Sequence, residues 1–247
     1  APDARWETVE KDGVAPEEFH STSMYPEYFK INGRWTLAEE SRMDSCVVLE
    51  DDGHLSVVES RNLKKGQRVI LGRTEHGQDG IYMHCNGFTQ DSETLEDQFV
   101  FRQGRSRETS YAKDYDRLVE LLRHEKVMGP AFAFDDGARK AMQALIDNGY
   151  CHGLLAGNAL GTHDLEGALL HTALGQDIYT QQSQPNGHYN HLDVLNKVRR
   201  SGSIPQFIED YHIDNGIIYG CVKNHVPFVL TGSIRDDGPL PPVLADG

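Results

Sequence analysis

Two stretches of this chain put polar residues where an α/β protein does chemistry. In CHGLLAGNALGTHDLEGALL, residues 151–170, an apolar run from Cys151 to Ala156 leads into Gly157-Asn158-Ala159. A helical pattern follows at once, and its opening turns hold Thr162, His163, Asp164 and Glu166. A glycine at the end of a parallel strand lets the backbone turn sharply and approach a ligand, while the free N–H groups of the next helix can receive phosphate or carboxylate. The spacing of Gly153, Gly157 and Gly161 is G-x3-G-x3-G rather than the dinucleotide fingerprint G-x-G-x-x-G, so the same glycines fit close strand–helix packing equally well. In PFVLTGSIRDDGPLPPV, residues 227–243, a second buried strand delivers Ser233, Arg235, Asp236 and Asp237 ahead of Pro239, Pro241 and Pro242. Arg235 is suited to a bidentate grip on a carboxylate, and an aspartate there can accept from a ribose or bind an amine. The competing reading is an Arg–Asp pair that closes the loop on itself.

Twelve histidines raise the question of a metal. The tightest groupings, His188-x-x-His191, Cys151-His152, His84-Cys85 and His163-Asp164, match no strong zinc spacing such as H-E-x-x-H, so no metal is expected. In NGHYNHLD, residues 186–193, Asn186, Asn190 or Asp193 can cap a helix, or the whole segment can wall a crevice. A nucleophile elbow G-x-S-x-G and a Walker-type G-x4-G-K-[ST] are both missing, which removes motif support for a serine hydrolase or a P-loop enzyme. The four cysteines, Cys46, Cys85, Cys151 and Cys221, form no C-x-x-C pair and read as reduced, mostly buried thiols.

The elements that must position these residues change character near residue 105. From Tyr28 to Met83 short β-type runs alternate with turn signals: Phe29-Lys30-Ile31 and Arg34-Trp35-Thr36 around Asn32-Gly33, then Val47-Val48-Leu49 and Leu55 to Val58 around Asp51-Asp52-Gly53, then Val69-Ile70-Leu71. The segment 89–110 is polar and reads as a linker. Beyond it the period becomes helical at Tyr115, Leu118, Val119 and Leu122. Asp135/Asp136 can cap a helix whose stripe is Ala138, Ala141, Met142, Leu145 and Ile146 and which Asn148-Gly149 ends. The helical pattern after Gly157 runs through Leu174, further helices are expected at 191–200, 205–211 and 216–223, and a buried strand at 227–230. This strand–helix alternation predicts an α/β fold: a β-rich domain over residues 1–105, a small barrel or sandwich, then a Rossmann-like domain over 106–247 with a parallel sheet and crossover helices.

Composition bounds the function. With 24 Lys+Arg against 38 Asp+Glu the net charge is −14, and the basic stretches are short and diluted by acids, which speaks against a nucleic-acid partner. No run approaches the ~20 apolar residues of a spanning helix and no signal peptide is visible, so a cytoplasmic protein without membrane contact is expected.

Three segments carry a family resemblance. GNALGTHDLEGAL, NGHYNHLDVLNKVRRSGSI and CVKNHVPFVLTGSIRDDGPLP are similar to the archaeal-type ornithine cyclodeaminases and to the C-terminal half of the bifunctional arginine dihydrolase/ornithine cyclodeaminases. FHSTSMYPEYFKINGRWTLAEESRMDSCVVL and RNLKKGQRVILG resemble the family's β-rich region, also known from lysine-ketoglutarate reductase/saccharopine dehydrogenase. The resemblance covers the chain from about Pro16 to Pro242.

The resemblance implies an NAD-dependent lyase, working as a homo-oligomer on a small amino acid, that converts L-ornithine or a close basic amino acid to L-proline and releases ammonia. It matches Gly157, Asn158 and Ala159 to the cofactor-contacting turn and Asp237 of the RDD block to a further cofactor contact. For substrate binding and proton transfer, placement nominates Asp164, His188, Arg235 and Asp236. Two departures from the family pattern stand out. GPAFAFDDG places Asp135-Asp136 where extra negative charge would disfavour a pyrophosphate, and family members continue beyond the SIRDDGPLP block, which reads as an α/β domain short at its C-terminus. The competing readings are a non-catalytic or regulatory relative that binds an amino acid or nucleotide, and a divergent NAD-independent enzyme on another small substrate.

Overall fold

The computed structural model of the chain describes residues 1–40, 42–85, 127–128, 133–180, 182–232, 240–241 and 243–244. The linker expected over 89–110 and the helix at 115–122 lie outside these residues.

The N-terminal part folds as two antiparallel sheets. Strands β1 (Arg5–Thr8), β4 (Cys46–Leu49), β5 (Leu55–Val58) and β6 (Arg68–Leu71) form the first, in the order β1-β6-β4-β5. Strands β2 (Glu27–Ile31), β3 (Arg34–Leu37) and β7 (Ile81–Met83) form the second, in the order β3-β2-β7. The hairpins form where the turn chemistry places them. Asn32 and Gly33 take φ of 49° and 77°, the two left-handed residues that a type I′ turn requires, and Ile31 pairs with Arg34 across them.

The C-terminal part is α/β. Its sheet has the order β13-β12-β9-β8, with β8 at Val127–Met128, β9 at Leu154–Gly157, β12 at Phe228–Thr231 and β13 at Val243–Leu244. β12 runs parallel to both β9 and β13, so β9 and β12 end together, with Gly157 beside Thr231. Helices α1 (Asp136–Asp147), α2 (Asn158–Leu170), α3 (Asn190–Ser201), α4 (Ile204–Asp210) and α5 (Ile217–Lys223) follow in sequence. Leu154, Ala156 and Leu230 point into the core while Leu155 and Val229, the residues between them, are exposed on the opposite face. This is the Rossmann-like arrangement that the strand–helix alternation predicts.

One helix ends early. The pattern reads as helical through Leu174, but α2 stops at Leu170, where His171 adopts φ 59°, and the antiparallel pair β10 (Thr172–Ala173) and β11 (Gln176–Asp177) follows. The cause is the Glu166 side chain, which accepts hydrogen bonds from the backbone N–H groups of Leu174 and Gly175 and so folds the chain back on its own helix.

The sheet-forming and helical parts share one apolar core. Val9, Phe19, Val48, Leu63 and Val69 belong to the same cluster as Leu160, Leu165, Leu192, Val194 and Val198. Polar contacts join them as well. Asn196 on α3 donates to the Ala15 carbonyl and accepts from the Ala15 N–H, both at 2.8 Å, and Arg73 makes a two-pronged pair with Asp193 at 2.9 and 2.6 Å.

Candidate functional site

The turn after β9 is built to stay open. Gly157 takes φ −73°, an ordinary conformation, yet a Cβ placed on it would meet nothing within 4 Å. No packing contact inside the described structure therefore requires a glycine at this position. Helix α2 begins immediately after it; among the described residues no side chain caps it and no acidic residue stands in its first turn, so the positive end of the helix dipole lies at this turn. Gly161 does the opposite job: its Cβ would lie 2.8 Å from Leu230 Cδ1 and 3.2 Å from Leu240 Cδ1, so this glycine sets how closely α2 packs on the sheet. Of the two explanations offered by the glycine spacing, close strand–helix packing accounts for Gly161. Asn158 is buried and its Oδ1 accepts from the Leu240 N–H at 2.9 Å, which ties the turn to the chain beyond the RDD block. Ala159 follows it, half-buried, in the first turn.

Asp164 points elsewhere. It is fully buried, its Oδ1 pairs with Arg139 Nε at 2.9 Å and accepts from Ile217 N at 3.0 Å, and its Oδ2 accepts from Ile218 N at 2.8 Å. Arg139 also donates to the Asp164 carbonyl at 3.0 Å and to Asn215 at 3.2 Å. Both carboxylate oxygens are thus committed to holding α1 and the start of α5 against α2. The nomination of Asp164 for substrate or proton transfer is corrected to a structural role, because a fully buried carboxylate whose oxygens already accept three hydrogen bonds has no face to offer. The aspartates of the DDG turn are likewise spent locally: Asp135 caps α1 by accepting from Ala138 N at 2.7 Å, and Asp136 pairs with Lys140 at 2.7 Å.

Two residues that sequence placement left unassigned form the most organised group. His163 Nδ1 lies 2.8 Å from Glu166 Oε2. The other Glu166 oxygen accepts from Thr172 Oγ1 at 2.8 Å and from Gly175 N at 3.1 Å, and Asn190 donates to the same threonine hydroxyl at 2.8 Å. Burial pushes the Glu166 carboxyl up, but the hydrogen bond and charge of His163, with Thr172 and Gly175, outweigh it and leave it below the ordinary range. The Phe134 ring stands edge-on to His163 at 5.2 Å, and the His191 ring is 5.9 Å away. The sequence signal for this pair is H-x-x-E, a histidine and a carboxylate at i and i+3 on one helix face.

His188 sits in a short helical turn, Gly187–Tyr189, before α3. It is about half exposed, its Nε2 is 3.9 Å from Glu75, and its ring lies tilted by 44° against Tyr189 with centroids 4.4 Å apart. Partial burial lowers its pKa against the pull of Glu75. Beneath it a second imidazole–carboxylate pair is completely buried: His20 Nε2 to Glu27 Oε2 at 2.8 Å, with the Tyr189 hydroxyl 3.5 Å from His20 Nδ1. Arg73 lies 4.5 Å over the Tyr189 ring. Thus the His163–Glu166 pair and the NGHYNH segment are joined through Thr172 and Asn190. Arg235, Asp236 and Asp237 lie outside the described residues. Among the described residues no cluster of histidine, cysteine and carboxylate side chains could hold a metal ion, and no helix is long and apolar enough to cross a membrane.

A parallel sheet with an open glycine turn feeding an uncapped helix defines a Rossmann-fold protein, and the chain belongs to the family of the arginine dihydrolase ArgZ-like C-terminal Rossmann fold, whose model matches residues 118–247. Among individual proteins, it is 36% identical to an ornithine cyclodeaminase of Methanocaldococcus jannaschii over 96% of this chain and 58% of that protein. It is also 36% identical to the bifunctional arginine dihydrolase/ornithine cyclodeaminase AgrE of Nostoc sp., over 99% of this chain and 35% of the relative. The chain superimposes with a TM-score of 0.78 on the crystal structure of the ternary complex of AgrE with ornithine and NAD+, at 34% identity, covering 99% of this chain and 34% of that one. It therefore spans little more than half the length of the archaeal relative and about a third of the bifunctional one.

Proposed function

We propose that this chain carries out, alone or as part of a longer protein, the NAD-dependent cyclisation of L-ornithine to L-proline with release of ammonia. The observation that carries the reading is the open Gly157 turn running into the uncapped start of α2 at the carboxyl end of a parallel sheet. That is the place and the donor set that a dinucleotide pyrophosphate requires. The similarity to AgrE, whose complex holds ornithine and NAD+, supports the same ligands here. Bound there, NAD would take a hydride from the substrate Cα and later return it to the cyclic imine.

The chain's own residues would do the rest. Gly157 admits the nucleotide, the first-turn amides including that of Ala159 meet its phosphates, and Asn158 holds the turn rigid through Leu240. Asp237 is assigned to the cofactor, Arg235 to the substrate carboxylate and Asp236 to an amine, with His188 on the wall of the crevice. Asp164 positions α2 through Arg139 rather than touching ligand. An acidic chain of net charge −14 also favours a cationic amino acid over an anionic one. Incubation with NAD+ and L-ornithine should yield proline and ammonia in equal amounts with no net accumulation of NADH. Absence of proline above a control lacking NAD+ would overturn the reading.

A further inference from the structure

The His163–Glu166 pair has the geometry of an oriented base. Glu166 is held as a carboxylate among four donors, and a carboxylate can only accept, so the proton of the 2.8 Å contact resides on His163 Nδ1. In the neutral ring this leaves the lone pair on Nε2. That nitrogen makes no hydrogen bond among the described residues. The side chain is 8% exposed, so the ring is sheltered but not sealed. Among the described residues, the groups facing it are Glu166 from its own helix, the His191 ring from α3 and the Phe134 ring, and Glu166 is the one carboxylate of these. A base whose other nitrogen is anchored by a buried carboxylate is fixed in tautomer and direction, and its imidazolium is stabilised when it forms.

We propose that His163, oriented by Glu166, is the proton-transfer residue of this site, taking a proton from the ammonium group of a bound basic amino acid. One N–H bond of that ammonium breaks, its proton moves to Nε2, and the electron pair stays on the substrate nitrogen, which is then free to form a C=N bond. The positive charge passes to an imidazolium already paired with Glu166, so no charge is created. This rests on the function proposed above.

His163→Gln and His163→Asn, in the NAD-loaded chain, should lower kcat about 100-fold or more while the KM for ornithine and the Kd for NAD+ stay within about threefold. Glu166→Gln keeps the shape and should lower kcat about tenfold, acting through the histidine. A readout that needs no turnover is the 15N spectrum of the wild-type ring in its neutral form, expected to show a protonated Nδ1 and an unprotonated Nε2, with that preference lost in Glu166→Gln. A kcat for both His163 variants within threefold of wild type, or the opposite tautomer, overturns the proposal. A wild-type chain that makes no proline counts against the function proposed above, and the tautomer then decides the His163 arrangement by itself.

Discussion

The side-chain oxygen of Asn158 accepts the backbone N–H of Leu240 at 2.9 Å, so the first residue of α2 is tied directly to a residue 82 positions further along the chain. Asn158→Ala leaves a buried N–H without its acceptor, which costs about 1–3 kcal/mol. The variant should remain folded with a lowered Tm and bind NAD+ at least tenfold more weakly, because the turn loses its tie to Leu240. Thermal melts and a fluorescence titration with NAD+ check both parts.

Asp164 and Arg139 make a different prediction. Breaking a buried pair strands a charge, at about 3–5 kcal/mol, so Asp164→Asn should unfold at markedly lower urea concentration. If Asp164 were instead a ligand-facing group, the variant would keep its stability and lose only activity, and a urea titration separates the two.

Acid should loosen the molecule at two carboxylates. For Glu27, burial raises the pKa and the hydrogen bond and charge of His20, with Ser23, bring it below the ordinary value of 4.5; Glu166 is lowered in the same manner by His163. A carboxyl whose pKa is lower folded than unfolded contributes stability that is fully present above the unfolded value and is lost as pH falls through the folded one. Stability should therefore hold at neutral pH and fall below about pH 4.5, and Glu27→Gln should flatten part of that fall. Urea midpoints measured from pH 7 to pH 3 test it.

Gly175 and Gly187 touch backbone to backbone, and a Cβ on either would collide with the other's main chain. Gly187→Ala should cost about 1–3 kcal/mol or more by overpacking. It should also disturb the Thr172–Gly175 turn and with it Glu166. A lowered Tm accompanied by a shifted His163 ring resonance is the expected pair of results.

Much of the fold is legible from local signals. Asn32-Gly33 marks its hairpin because two left-handed residues in a row leave few alternatives, and the Asp135 cap and the Gly149 turn bracket α1 as their chemistry dictates. The end of α2 is not legible, because Glu166 acts through space on Leu174 and Gly175, eight and nine residues on, and no periodicity records that. The site is legible in part for the same reason. Gly157 and Asn158 follow from strand–turn–helix order, whereas choosing among Thr162, His163, Asp164 and Glu166 needs to know which face of α2 meets Arg139 and which meets Thr172. Asp164 carries the more conspicuous charge, and the fold spends that charge on its own architecture.

The grip of Asn196 on both backbone groups of Ala15 spans 181 residues of sequence. Because Val9, Phe19 and Val69 share a core with α2 and α3, the strands made first cannot finish packing until the later helices exist. At roughly 5–20 residues per second of synthesis, the N-terminal strands wait on the order of 10–40 seconds for α3 to leave the ribosome. Long-range closure of this kind also slows refolding of the complete chain. A nascent chain paused before α3 emerges therefore still exposes the apolar side chains of Val9, Phe19 and Val69 that α3 later covers.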